Sequence, residues 1–236
     1  MDIDTYSFDG FKELARQFHG YAAPGLLLGG YMVAAAKRHM PEGTLFEAIS
    51  ETKKCLPDAV QLLTPCSIGN QRLKILDLGR YAVTLYDKYT GKGVRVSLSV
   101  EKLRGWPELH SWFMKAKSKS SQDEGEILRE IEEAGDTVCD MSNVTVSPGS
   151  IGRPRSGSIA VCPFCGEAYP MDHGPVCRAC QGEAHYHCPD APGTPDQPAA
   201  MTVLPAGQAA GMELAHDVTE IVPGGPGALF SGKAMS

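Results

Sequence analysis

Four cysteines carry the clearest chemistry in this sequence. Cys162-Pro163-Phe164-Cys165 is followed, after eleven residues, by Cys177-Arg178-Ala179-Cys180. Zinc favours four ligands in a tetrahedron, and a Cys-x-x-Cys pair on one tight turn supplies half of them. Two such pairs predict one structural zinc. With all four thiolates used, the ion would be closed to substrate. The competing account is two redox dithiols or two disulfides.

A second, looser set lies in the N-terminal half. His19 precedes Gly20 where an apolar-periodic helix should end, and a histidine there would suit the helix dipole as an exposed cap. Cys66 falls in Leu62-Leu63-Thr64-Pro65-Cys66-Ser67-Ile68-Gly69, after a helix and before a glycine turn. Such a loop end can aim a side chain into a cleft. Cys55 opens the same helix, where the N-terminal dipole would favour its thiolate. For each cysteine, simple packing is the alternative. His185, His187 and Cys188 follow the second pair. They read as cover for the outer face of the zinc module, with a further metal cluster as the alternative.

The chain has 236 residues, 42% of them hydrophobic and 21% charged, enough for one ordinary domain and a smaller module. The net charge of −6 argues against general nucleic-acid binding, which needs cations to neutralise phosphates. Eight cysteines without a secretory-type opening point to a reducing, cytoplasmic setting and to metal or thiol chemistry. The uncharged run Gly20 to Ala36 is short and broken by Pro24, so no membrane span is expected.

These side chains need elements to hold them. Phe8, Phe11, Leu14, Ala15 and Phe18 fall on one helical face, with Ser7 or Asp9 as its cap. Pro24 should open a second helix ending near His39. Gly29-Gly30 in its middle costs about 1 kcal/mol per glycine relative to alanine, and predicts close approach of another backbone, as across a dimer interface. Residues 44–52 fit strand or helix. Cys55 to Leu63 predicts a short helix, and residues 73–100 an antiparallel sheet with Val94, Val96, Leu98 and Val100 on one face. Helices are expected over 107–118 and after a capping box at Ser121-Gln122-Asp123-Glu124, stopping at Gly135. The expected organisation is a core domain over 1–141, a linker over 142–160, a zinc finger over 161–188 and a Pro/Gly-rich tail over 189–236.

His19–Gly25, Glu51–Gly69 and Tyr81–Val96, followed by the two cysteine pairs, resemble the FmdE-like family, that of the formylmethanofuran dehydrogenase E subunits. The resemblance covers about residues 8–188. It implies an α+β core, an antiparallel sheet packed by helices, with a small C-terminal treble-clef zinc finger, and a homodimer. The family takes its name from a molybdenum or tungsten enzyme that reduces CO2 onto methanofuran. Its opening motif, His-Gly-His-x-Cys-Pro-Gly, is matched at His19, Gly20, Pro24 and Gly25, while Tyr21 and Ala23 replace a histidine and the cysteine. Its later motif is intact at Cys55, Asp58, Gln61, Thr64 and Cys66. If the family's cleft binds a metal, His19, Cys66 and Cys55 are the ligands retained here, and the resemblance allows a second metal in the core. The tail from Val203 to Pro223 is similar to the opening of molybdopterin-binding proteins, without the domain that would hold the cofactor.

The expected function is therefore that of a zinc-binding accessory protein linked to molybdenum or tungsten enzyme chemistry, with a molybdopterin enzyme or maturation factor as partner. The alternative is a metalloenzyme using His19 and Cys66 on a small substrate, with Asp58, Gln61 or Tyr21 positioning it or moving protons. A nucleic-acid-binding finger, suggested by Arg153, Arg155 and Arg178, is disfavoured by the overall acidity.

Overall fold

The computed structural model describes residues 2–147, Gly149 and 157–186. His187, Cys188 and the tail, with its molybdopterin-like stretch, lie outside the described residues. The chain divides into two compact units, Met1–Arg155 and Ser156–Ser236.

In the first unit, α1 (Phe8–His19) starts where the Ser7 hydroxyl accepts the Gly10 N–H and stops at Gly20. α2 (Pro24–His39) buries every residue from Gly25 to Ala36. A helix apolar on all sides must be surrounded. It packs against α1, α3 (Leu56–Leu63) and α6 (Glu124–Ala134), and on β3 (Ala82–Asp87) and β4 (Lys92–Leu98).

Gly29 and Gly30 are explained inside the chain, contrary to the interface expectation. A Cβ on Gly30 would stand 2.5 Å from the Phe11 ring, and one on Gly29 would stand 3.0 Å from Leu56. Side chains of α1 and α3, not a partner's backbone, take the space.

β1 (Phe46–Ser50) resolves the ambiguous stretch. The five-stranded sheet runs β2-β1-β3-β4-β5, with β2 (Leu73–Ile75) and β5 (Cys139–Thr145) at its edges. β2 pairs with β1 in parallel, whereas an all-antiparallel arrangement was expected. The reason is the crossover. β1, α3 and β2 form a βαβ unit, which returns the chain in the same direction. The remaining pairs are antiparallel. Val83, Leu85, Val94 and Val96 fill the face toward α2. β5 continues to Thr145, so the segment read as a linker from 142 begins inside a strand.

The connection from β4 carries a one-turn helix α4 (Val100–Leu103) and α5 (Pro107–Phe113). α5 ends before the expected 118, with Lys115 in left-handed backbone (φ 54°). α6 is capped by Asp123, which accepts from the Glu126 N–H at 3.0 Å, in place of the expected Ser121 box.

The second unit is described over residues 157–186. β6 (Ile159–Val161) and β7 (Ala168–Pro170) make a hairpin around the first cysteine pair. Its core is Cys162, Tyr169 and Cys177. Among the described residues, no helix of either unit is long and apolar enough to cross a membrane.

Candidate functional site

The four cysteines of the second unit converge as their spacing predicts. Their sulfurs lie within 4.8 Å of one another, and Cys165 Sγ is 3.7 Å from Cys177 Sγ. Zinc–thiolate bonds of about 2.3 Å in a tetrahedron put neighbouring sulfurs about 3.8 Å apart, so this donor set fits one zinc ion. Backbone N–H groups of Cys165, Cys177 and Phe164 bring the Cys162 thiol down to about 6, favouring the ligating thiolate. Cys180 is pushed up to about 12, first by desolvation and then by the sulfurs beside it. Four clustered thiolates cannot all ionise without a cation. Gly166 N–H closes the first turn onto the Cys162 carbonyl, and the Cys180 N–H donates to Cys177 Sγ in the second. Cys162, Cys165, Cys177 and Cys180 are the residues of this unit placed to hold a metal ion.

The core domain assembles a different site at the start of α2 and α3. His19, the last residue of α1, meets Asp58 in the first turn of α3, with Nδ1 2.6 Å from Oδ2. Gln61, one turn along, donates to the other Asp58 oxygen at 3.5 Å and accepts the Ile68 N–H. Tyr21 places its ring 5.1 Å from that of His19 and is largely exposed.

Cys55 precedes α3 with φ 50° and ψ −48°, backbone that costs a non-glycine residue roughly 1–3 kcal/mol. It lies against Gly25. A Cβ there would stand 3.2 Å from Cys55 Sγ and 3.1 Å from the Tyr81 hydroxyl, which donates to the Gly25 carbonyl. A side chain there would crowd the thiol and the phenol. Burial, then the charges of Cys55 and Asp58, raise the Tyr81 hydroxyl well above the ordinary tyrosine value. Burial, then Asp58, also raise the Cys55 thiol. That direction runs against the dipole-favoured thiolate expected at Cys55, because desolvation and a neighbouring carboxylate disfavour the charged form.

Cys66 is elsewhere. It is fully buried beyond the last turn of α3 and donates from Sγ to the Phe46 carbonyl at 3.5 Å. An eight-residue helix is about 12 Å long, and Cys55 and Cys66 flank its two ends. Two sulfurs on one zinc lie within about 4.6 Å. The structure thus brings His19 to Asp58 near the Cys55 end, and it does not bring Cys66 to them. Among the described residues, the four-cysteine cluster is the one group of three or more metal-ligating side chains that converge. Tyr81 was missed from sequence because it reads as an ordinary strand-entry aromatic.

An α+β domain with helices on one sheet face, followed by a four-cysteine zinc finger, defines the class: a two-unit zinc-finger protein with a polar side-chain cluster at two helix starts. The chain belongs to the FmdE family, described as that of the molybdenum formylmethanofuran dehydrogenase operon, whose model matches residues 18–146. The FmdE treble clef zinc finger matches residues 153–187. The protein in the crystal structure of a tungsten formylmethanofuran dehydrogenase FmdE-like protein from Syntrophus aciditrophicus is 48% identical. The match covers 79% of this chain and 98% of that one, with a TM-score of 0.73. A probable S-adenosyl-L-methionine-binding protein of Archaeoglobus fulgidus is 38% identical over 98 residues. That match takes in 38% of this chain and only 27% of the length of that curated relative.

Proposed function

We propose that this chain is an accessory protein of molybdenum or tungsten enzyme chemistry, in which the finger stabilises the C-terminal unit and the core offers a small cleft for a ligand. The observation that carries the cleft is the fixed His19–Asp58 pair, at 2.6 Å, beside Cys55, Gly25 and Tyr81. Support for the enzyme link comes from the family's description and from the name of the 48% identical Syntrophus protein. A homodimer and a molybdopterin-enzyme partner belong to this proposal. Affinity capture from the native host, read by mass spectrometry, is expected to recover components of a molybdopterin oxidoreductase or its maturation factors. Repeated captures without either would overturn the link.

A second reading is favoured by one feature. A carboxylate that fixes a histidine through Nδ1 leaves Nε2 free, the arrangement used both to orient metal-ligating histidines and to position general bases. In this reading the core is a metalloenzyme site with His19 as ligand or proton carrier, without Cys66. Metal analysis of the Cys162→Ser/Cys165→Ser variant separates the two. A stoichiometric metal retained there and lost in His19→Ala supports the enzyme. No metal retained favours a binding cleft.

A further inference from the structure

The opposite end of α2 leaves a second cleft that neither the zinc cluster nor the His19 cleft uses. α2 has sixteen residues, so its ends are about 24 Å apart. Side chains alternate along a strand, so Lys92 shares the face of Val94 and Val96, the face α2 covers. Asn143 and Thr145 pair with Val94 and Lys92 and share that face too. But α2 stops at His39, and the far ends of β4 and β5 run past it. The result is an open cleft of about 590 Å³ with Lys92, Val94, Asn143 and Thr145 in its lining, bordered by His39, Met40, Pro41 and Thr44 and by Asp87 and Thr90 of the hairpin. That is the size of a small-molecule site.

Its two opposite charges face each other across the hairpin, because the register that pairs Tyr86 with Gly93 puts Asp87 opposite Lys92. Asp87 Oδ1 accepts the N–H groups of Tyr89 and Thr90, at 2.9 and 2.7 Å, and these hold its carboxyl below the ordinary aspartate range. No ion pair joins Asp87 or Lys92 to a partner among the described residues. His39 is held by Nδ1, 2.9 Å from the Ala35 carbonyl, which leaves Nε2 as the nitrogen available to a ligand. The cleft therefore offers an unpaired ammonium beside amide and hydroxyl donors, a carboxylate beside an imidazole nitrogen, and apolar surface from Val94, Met40 and Pro41.

We propose that this cleft binds a zwitterion of the amino-acid class. The ligand's carboxylate meets Lys92, its ammonium meets Asp87 and His39, and its apolar body lies on Val94 and Met40. A simple anion would meet the like charge of Asp87, and a simple amine the like charge of Lys92.

The test uses the full chain, labelled with 15N, titrated with L-leucine, N-acetyl-L-leucine and L-leucinamide. The last two each lack one of leucine's charges. Leucine is expected to give saturable shifts at residues 39–44, 87–94 and 143–145, and each analogue to bind at least about tenfold more weakly. Lys92→Met and Asp87→Asn should each weaken leucine by a similar factor. Asp87→Asn keeps the turn's oxygen acceptor and so tests charge rather than folding. His19→Ala should leave binding unchanged. The proposal fails if N-acetyl-leucine or leucinamide binds as well as leucine. It also fails if leucine gives no saturable shifts below about 50 mM, or shifts only elsewhere.

Discussion

Glu51 shows how one side chain can depend on pH. Its carboxylate is buried, accepts from Arg95 Nε and Nη2 at 2.6 and 2.9 Å, and lies 2.7 Å from Arg80 Nε. The Arg95 hydrogen bonds outweigh burial and lower its pKa. A lowered carboxylate stabilises the fold above its unfolded value, about 4.3, and that contribution disappears as pH falls through the lower folded value. Glu51→Gln is expected to cost about 1–3 kcal/mol at pH 7. In urea melts the deficit should shrink markedly at pH 3, and an equal deficit at both pH values would refute the account. Gly30→Ala is a purely steric counterpart. With the Phe11 ring in the way, it should lower stability by about 1–3 kcal/mol at either pH. The convergence of the four cysteines was legible at this scale, because two Cys-x-x-Cys pairs leave few other geometries. Cys55 and Cys66 were not, since a motif shared in sequence does not reveal that its cysteines flank opposite ends of one helix.

At the scale of elements, what was legible followed from local physics. Pro24, the Ser7 cap and continuous apolar faces define α1 and α2, and the alternation from Val94 defines β4. What was not legible depends on distant partners. β2 is three residues long and pairs in parallel only because α3 carries the chain back. β5 shows little alternating burial, and its strand character comes from β4 beside it. α5 shows the same dependence. It has no side-chain cap of its own, and the buried Glu130 of α6 accepts the Leu109 N–H at 2.7 Å. A carboxylate there satisfies a free helix-start donor and suits the dipole. Glu130→Ala is expected to cost about 1–3 kcal/mol by calorimetry, and Glu130→Gln, which keeps an oxygen acceptor, clearly less. If the two variants melt together, the cap contributes nothing.

At the scale of the whole molecule, the two units draw stability from different sources. The first has a large apolar core around α2, with β3 and β4 on one side and three helices on the others. Among its described residues the second buries only Cys162, Tyr169 and Cys177, supplemented by the Tyr169 hydroxyl on the Gly174 carbonyl and Gln181 on two backbone oxygens. A core that small cannot offset the chain entropy of some thirty ordered residues without a cross-link or a metal. Zinc binding to such a module is therefore folding energy. A strong chelator is expected to collapse the amide dispersion of residues 157–186 while hydrogen exchange in α2 and β3 stays slow, and added zinc should restore the finger. The double variant Cys162→Ser/Cys165→Ser should give the chelated spectrum without chelator and resist zinc rescue. A finger that keeps its dispersion in both cases would mean that its hydrogen bonds suffice, and that the cysteines serve something other than its folding.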